Sequence, residues 1–196
     1  MNREDSAVQN QKKEEKVLLW RGGFFIFRFF FLGVIDSNLE GVAIMGSSLS
    51  KHQQQALKKS WASVQPRALV MGRSTFVEVL SKYPEYKARF PRLKDVPGDQ
   101  LQGNKALDIH VILFTQAVRA MVENVEDFEL VDEVARRIAY RHVRMGIDET
   151  DLDVVTAGFI AKVADGSDDV WHAAAKCLNH NIADYMRRMK TAGDNG

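Results

Sequence analysis

The chain has 196 residues, a formal net charge of +1 and a single cysteine, Cys177. Its 27 basic residues are balanced by 26 acidic ones, so the composition gives no global signal for nucleic-acid binding. One cysteine cannot form an intrachain disulfide. The sequence also contains no Cys/His cluster at zinc-ligand spacing, so it does not predict a structural zinc site.

The first 47 residues differ in kind from the rest of the chain. Residues 1–16 are polar and charged, which predicts disorder, and residues 17–35 form an apolar stretch that contains Arg21 and Arg28. Nineteen residues can just span a bilayer. Each arginine, however, costs roughly 2.5–3.5 kcal/mol at the membrane centre. We therefore expect a mostly disordered N-terminal extension, with a weak signal-anchor as the alternative.

A different interpretation of this region starts from Met45. The sequence MGSSLS over 45–50 matches the N-myristoylation pattern, which requires a free glycine amine and therefore a translation start at Met45. Gly46 would then carry the lipid, and the protein would be cytoplasmic with peripheral attachment to the inner leaflet of the plasma membrane. Ser50 also has a structural explanation, because Gln53 three residues later completes a helix capping box.

From residue 48 onward apolar residues recur with a helical period, which predicts one helical domain over 48–190 and a short tail over 191–196. No β-alternation of useful length occurs, so the predicted class is all-α, with seven or eight helices. Gly72 lies inside a helix, where it costs about 1 kcal/mol against alanine, and so indicates that a neighbouring segment passes close by. The predicted helices cover about 51–65, 67–82, a short turn from 84, 101–124, 127–142, 149–164 and 168–189, with Leu69, Phe76, Val79 and Leu80 inward on the second.

Two histidines fall on apolar stripes, whereas His52, His172 and His180 are predicted to lie at the surface. His110 and His142 belong to consecutive helices, and two antiparallel helices can present such residues across a gap. A neutral imidazole is a good iron ligand, although a histidine on an apolar stripe is more often a core residue. The stripes are Leu107, His110 or Val111, Phe114, Val118 and Met121 on the first helix, and Leu130, Val134, Ile138 and His142 on the second.

From Leu49 to about Met189 the chain resembles the globin family, and most of all its cytoglobin and neuroglobin-like branch. The resemblance rests on several residues that match the family at the same spacing. The stretch LDIHVILFTQAVRAMVENV resembles the distal helix of that family, and RRIAYRHVRMGI resembles the proximal segment. The single positions that match are Trp61, Gly72, Pro84 and Phe90.

The resemblance implies a globin fold with haem b (iron protoporphyrin IX) as the cofactor. It places His142 as the proximal iron ligand, His110 as the distal histidine and Phe90 against the porphyrin. Phe114 and Ile147 are assigned to the wall of the haem pocket. Bulky residues on the distal side should narrow that pocket, and the segment after the proximal histidine, GIDETDLDVV, is unusually acidic for a stretch near haem.

The implied function is reversible binding of O2, NO or CO. His110 either donates a hydrogen bond to the gas ligand or binds the iron itself. The branch resemblance favours the second role, a six-coordinate iron suited to redox sensing or NO-related chemistry more than to oxygen transport or storage. The enzymatic alternative is a NO dioxygenase or nitrite reductase served by an unidentified reductase, although no dedicated catalytic constellation is visible. An alternative of a different class is a haem-free globin-like interaction module.

Overall fold

The computed structural model describes residues 49–163 and 165–193. Within these ranges the chain forms seven α-helices and no β-strand, which confirms the predicted all-α class. The helices are α1 (Lys51–Val64), α2 (Ala68–Lys82), α3 (Pro84–Ala88), α4 (Lys105–Glu123), α5 (Phe128–His142), α6 (Glu149–Ile160) and α7 (Asp168–Gly193). Short 3-10 turns cover Gln65–Arg67, Gly98–Gln100 and Val143–Met145.

Two of the sequence predictions concern residues outside the described ranges. The apolar stretch 17–35 and Gly46 both lie there, so the signal-anchor and acylation interpretations stay predictions, as does the domain boundary at 47/48. Among the residues that the structure does describe, no helix combines the length and the apolar character needed to cross a bilayer.

Polar side chains at the helix starts set the boundaries. The predicted capping box at Ser50 is present: its hydroxyl accepts from the Gln53 backbone N–H at 3.3 Å, and the Gln53 side chain accepts from Ser50 N–H at 2.8 Å. The side chain of Asn104 accepts from the backbone N–H of Ala106 and Leu107. That cap makes α4 begin at Lys105, four residues later than predicted, because it satisfies donors that the first turn leaves without partners.

The core consists of two clusters of buried side chains. The larger one joins α1, the start of α2, α4, α5, α6 and α7. It includes an edge-on pair of tryptophans, Trp61 and Trp171, with ring centroids 6.3 Å apart. The smaller one lies beside α2 and the first half of α4. Phe114 packs against both clusters. The smaller cluster contains Phe76, Leu80, Leu93, Leu101, Leu107 and Val111.

Two of the predicted inward stripes need correction. Leu69 was expected to face inward but is 51% exposed, because the buried stripe of α2 runs through Ala68 and Met71 instead, and a residue one position along a helix lies about 100° around the axis. On α5 the fully buried row is Val131, Ala135 and Ala139. The predicted row of Leu130, Val134, Ile138 and His142 lies beside it and is half-buried.

Gly72 marks a close crossing of α2 and α4, as its mid-helix position predicts. A Cβ atom at this position would lie 3.1 Å from Val111 Cγ1 and 3.2 Å from Thr115 Cγ2. Both distances are shorter than comfortable carbon–carbon contact, which has its optimum near 3.5–4.0 Å. The missing side chain therefore lets α2 lie directly against the segment of α4 that carries His110.

A buried hydroxyl ties α1 to α7, and we expect its removal to destabilise the fold. Ser60 Oγ accepts from Trp171 Nε1 at 2.8 Å and donates to Asp165 Oδ2 at 2.6 Å. In Ser60→Ala the buried indole N–H loses its acceptor, so the free energy of unfolding should fall by about 1–3 kcal/mol in urea titrations. Ser63→Ala is the matched control, since that exposed hydroxyl donates only to the Ser60 carbonyl of its own helix. Equal losses in both variants would contradict the prediction.

Candidate functional site

The two histidines on apolar stripes face each other. His110 comes from the first half of α4, and His142 is the last residue of α5. Their ring centroids are 6.3 Å apart, and the ring planes are inclined at 73°. Two helices that follow each other in the chain thus present two imidazoles to one small region, as the spacing suggests.

His142 is oriented by its own helix. Its Nδ1 lies 2.7 Å from the carbonyl oxygen of Ile138, one turn earlier. A carbonyl can only accept, so this contact places the ring proton on Nδ1 and leaves the Nε2 lone pair free. The same contact fixes the ring orientation, as backbone carbonyls commonly do for histidines that bind metals.

His110 lies in an apolar, aromatic environment. The edges of two rings meet it: the ring centroid of Phe76 is 4.9 Å away and that of Phe90 is 5.0 Å away, both nearly perpendicular to the imidazole. Burial, together with a smaller electrostatic effect of the His142 ring, lowers the pKa of His110 to about 4. The ring is therefore neutral at physiological pH, which is the form that can offer a lone pair to a metal.

A further aromatic side chain closes the region behind His110. Phe114, one turn later on α4, packs edge-on against Phe76 at 5.3 Å and against Phe159 of α6 at 5.4 Å. An apolar cavity of about 50 Å³ lies on the far side of Phe114, and its lining also includes Phe159 and Trp171. The side of His110 that faces Phe114 is thus aromatic and apolar.

The remaining predicted site residues are placed as follows. Phe90 follows α3 and contributes its ring edge to His110. Ile147, between the Val143–Met145 turn and α6, is half-buried and packs against the larger core cluster. Phe90, His110 and His142 therefore form one connected group of rings, and Phe114 joins it through Phe76. Ile147 instead packs against the main core.

The acidic segment after His142 has structural partners that sequence reasoning missed. The side chains of Asp148 and Asp151 form a reciprocal capping box at the start of α6, with both hydrogen bonds 3.0 Å long. Asp151 also forms an ion pair with Arg89, next to Phe90. Burial raises the pKa of Tyr86, and the charge and hydrogen bond of Asp151 raise it further. These contacts join α6 to the turn that carries Phe90. The D-x-x-D pattern could have predicted the cap, but nothing local predicts the pairing across 62 residues.

Comparison with known proteins gives a consistent picture. The family model described as Globin matches residues 73–186, a span that includes both histidines. Hemoglobin-3 of Phacoides pectinatus is 26% identical over 109 residues, covering 55% of this chain and 71% of that protein. An anaerobic nitrite reductase of Physcomitrium patens is 22% identical over 129 residues, covering 65% and 72%. A crystal structure of a hexacoordinated heme protein from an anhydrobiotic tardigrade superposes with a TM-score of 0.65 at 16% identity, covering 71% of this chain and 96% of that one.

Proposed function

Because this chain belongs to the globin family, we propose that it binds haem between His110 and His142, with both imidazoles as axial ligands of the resting iron. The observation that carries the proposal is the 6.3 Å separation of the two ring centroids. The cytoglobin and neuroglobin-like branch stays a prediction, since the comparisons support the family and not the branch.

The separation fits a pair of ligands on opposite sides of one metal ion. A ring nitrogen lies about 1.1 Å from its ring centroid and about 2.0–2.1 Å from a first-row metal such as zinc to which it is bound, and we take iron to be similar. Two imidazoles facing each other through one ion therefore have centroids roughly 6.2–6.4 Å apart. The observed 6.3 Å lies within that range, which supports His110 and His142 as the pair that would hold the iron.

Each residue of the site has a distinct role in this proposal. His142 offers Nε2 while the Ile138 carbonyl holds its other nitrogen, which increases the basicity of the ligand. His110 offers a neutral ring held by Phe76 and Phe90, whose edges also exclude water. Bound haem would supply an iron that binds diatomic gases and exchanges one electron. A gas ligand must then compete with His110, which suits sensing, redox or NO-related roles better than bulk oxygen transport.

The cysteine content supports haem b in particular. Covalent attachment of a c-type haem uses a C-x-x-C-H motif, and this chain has one cysteine. Cys177 lies in α7, away from both histidine-bearing helices in the sequence. We therefore propose non-covalent binding, through the two axial bonds and apolar contacts.

The test is the absorption spectrum of the purified full-length protein with haem. We expect the reduced protein without added ligand to show a six-coordinate low-spin spectrum. His110→Leu should convert it to a five-coordinate spectrum because the sixth ligand is removed. His172→Leu, an exposed histidine on α7, is the matched control and should leave the spectrum unchanged. A high-spin reduced wild type would refute the bis-histidine proposal. A helical, folded protein without a Soret band would instead favour the haem-free interaction module.

The relative from Physcomitrium patens favours a second candidate function, the one-electron reduction of nitrite: NO2− + e− + 2H+ → NO + H2O. An external reductase would supply the electron by way of the iron. Anaerobic release of NO from nitrite by the reduced protein, faster in His110→Leu than in the wild type, would support this candidate over simple gas binding.

A further inference from the structure

We infer that Arg73, on α2, is a positioning residue that sets how firmly His110 is held at the iron, acting through Asp108. The inference rests on the proposed bis-histidine ligation. It concerns the strength of that ligation, because release of His110 is the step that opens the iron to an external ligand.

The contact that carries the inference joins two helices beside the ligand. The guanidinium of Arg73 donates to a carboxylate oxygen of Asp108, which lies two residues before His110 on α4. The Asp108 side chain is only 15% exposed and that of Arg73 is 30% exposed. The second carboxylate oxygen lies 3.6 Å from Lys105, whose side chain is 91% exposed and belongs to α4 itself. Arg73 is therefore the shielded partner and the one that ties α4 to α2.

Contacts with α2 hold His110 from several directions. Before His110 in the sequence lies the Asp108 ion pair with Arg73. After it lies Val111, whose Cγ1 occupies the space left by Gly72. The ring of Phe76, one turn after Arg73, meets the imidazole itself. A movement of α4 that withdraws His110 from the iron must stretch the Arg73–Asp108 pair, since Asp108 moves with α4 while Arg73 stays on α2.

The expected size of the effect follows from the environment of the pair. Exposed ion pairs contribute at most about 1 kcal/mol, which corresponds to about fivefold in an equilibrium. A half-buried pair is screened less by salt than an exposed one. Removing it should therefore accelerate the release of His110 by about threefold to fivefold, provided that release moves the α4 backbone.

The experiment measures the rate at which His110 leaves the iron in the full-length protein with haem. Reduced protein is mixed with CO at concentrations high enough that CO binding is limited by histidine release. We expect Arg73→Met and Asp108→Asn to raise this limiting rate by about threefold to fivefold. Arg73→Lys should retain most of the wild-type rate. Lys105→Met removes the other cation from the same carboxylate without touching α2, so it should leave the rate unchanged.

Each other outcome counts against the inference. A wild-type rate in both Arg73→Met and Asp108→Asn would overturn it, and so would an equal acceleration in Lys105→Met, which would implicate local charge and not the tie between helices. Thermal melting of each variant detects a purely structural role, which would lower the melting temperature without changing the rate.

Asp108→Asn preserves the side-chain shape and keeps the test valid if Arg73→Met fails to fold. A five-coordinate wild type would refute the proposed function itself, whereas a six-coordinate wild type with unaffected variants would refute only the role of Arg73.

Discussion

Replacing His142 by alanine should make haem dissociate about 100-fold faster, or more, than replacing His110 by alanine. Loss of a group that only hydrogen-bonds to a metal ligand already lowers metal affinity by about 10–100-fold. His142 is a ligand whether or not His110 also binds the iron, so its loss should lower haem affinity by at least about 100-fold. In the proposed complex, the Nδ1 contact with the Ile138 carbonyl would hold the His142 ring in place for ligation. The ring of His110 contacts the rings of Phe76 and Phe90, and under the proposed function a gas ligand would displace it.

The measurement is the rate of haem transfer from each variant to an excess of an acceptor apoprotein. His180→Ala serves as the control, because this exposed histidine of α7 contacts Glu149 at the surface and lies outside the ring cluster. Equal transfer rates in the two site variants, or faster loss from His110→Ala, would exchange the proximal and distal assignments.

Gly72→Val should lower the free energy of unfolding by about 1–3 kcal/mol, the usual cost of forcing extra methyl groups into a packed region. The first added carbon would already lie 3.1 Å from a methyl group of Val111, and the two further methyl groups of valine would need the space that Thr115 occupies. α2 and α4 must then separate at the position where α2 packs against the segment of α4 that carries His110. We therefore expect a raised proportion of five-coordinate iron together with the loss of stability.

Gly98→Val is the matched control for that variant. A Cβ atom at Gly98 would meet nothing within 4 Å. The same substitution there should change the free energy of unfolding by less than about 0.5 kcal/mol and leave the spectrum unchanged. A stable, fully six-coordinate Gly72→Val protein would show that the crossing tolerates separation, and that α2 does not constrain His110.

The features that sequence predicted well are those with local causes. Ser50 and Gln53 cap a helix because of their spacing, and Gly72 signals a close approach because glycine is otherwise costly in a helix. The two histidines could be paired because the helices that carry them are consecutive. These signals need no knowledge of the packed structure, since each depends on neighbours within a few turns or on the order of the helices.

The features that sequence missed depend on long-range packing. The predicted stripe of α5 lies one residue away from its fully buried row, because two of the three residues in that row are small alanines, which a pattern of large apolar residues does not reveal. Arg73 and Asp108 are 35 residues apart in the sequence. From the sequence, each would be predicted to be an ordinary surface charge, because only the packing of α2 against α4 makes them partners. The acidic start of α6 likewise depends on a distant partner, because Asp151 forms an ion pair with Arg89.

Phe114 packs against both core clusters, and this has a thermodynamic consequence. Free-energy coupling between two sites is reciprocal: whatever one site does to the other is returned in equal measure. If ligand exchange at His110 shifts the rings of Phe76 and Phe114, it must alter the packing against Phe159 and Trp171. A substitution in the main core, far from either histidine, would then change gas affinity by the same free energy by which bound gas changes the effect of that substitution on stability. Under the proposed ligation, a core substitution that changes thermal stability would therefore also change ligand preference.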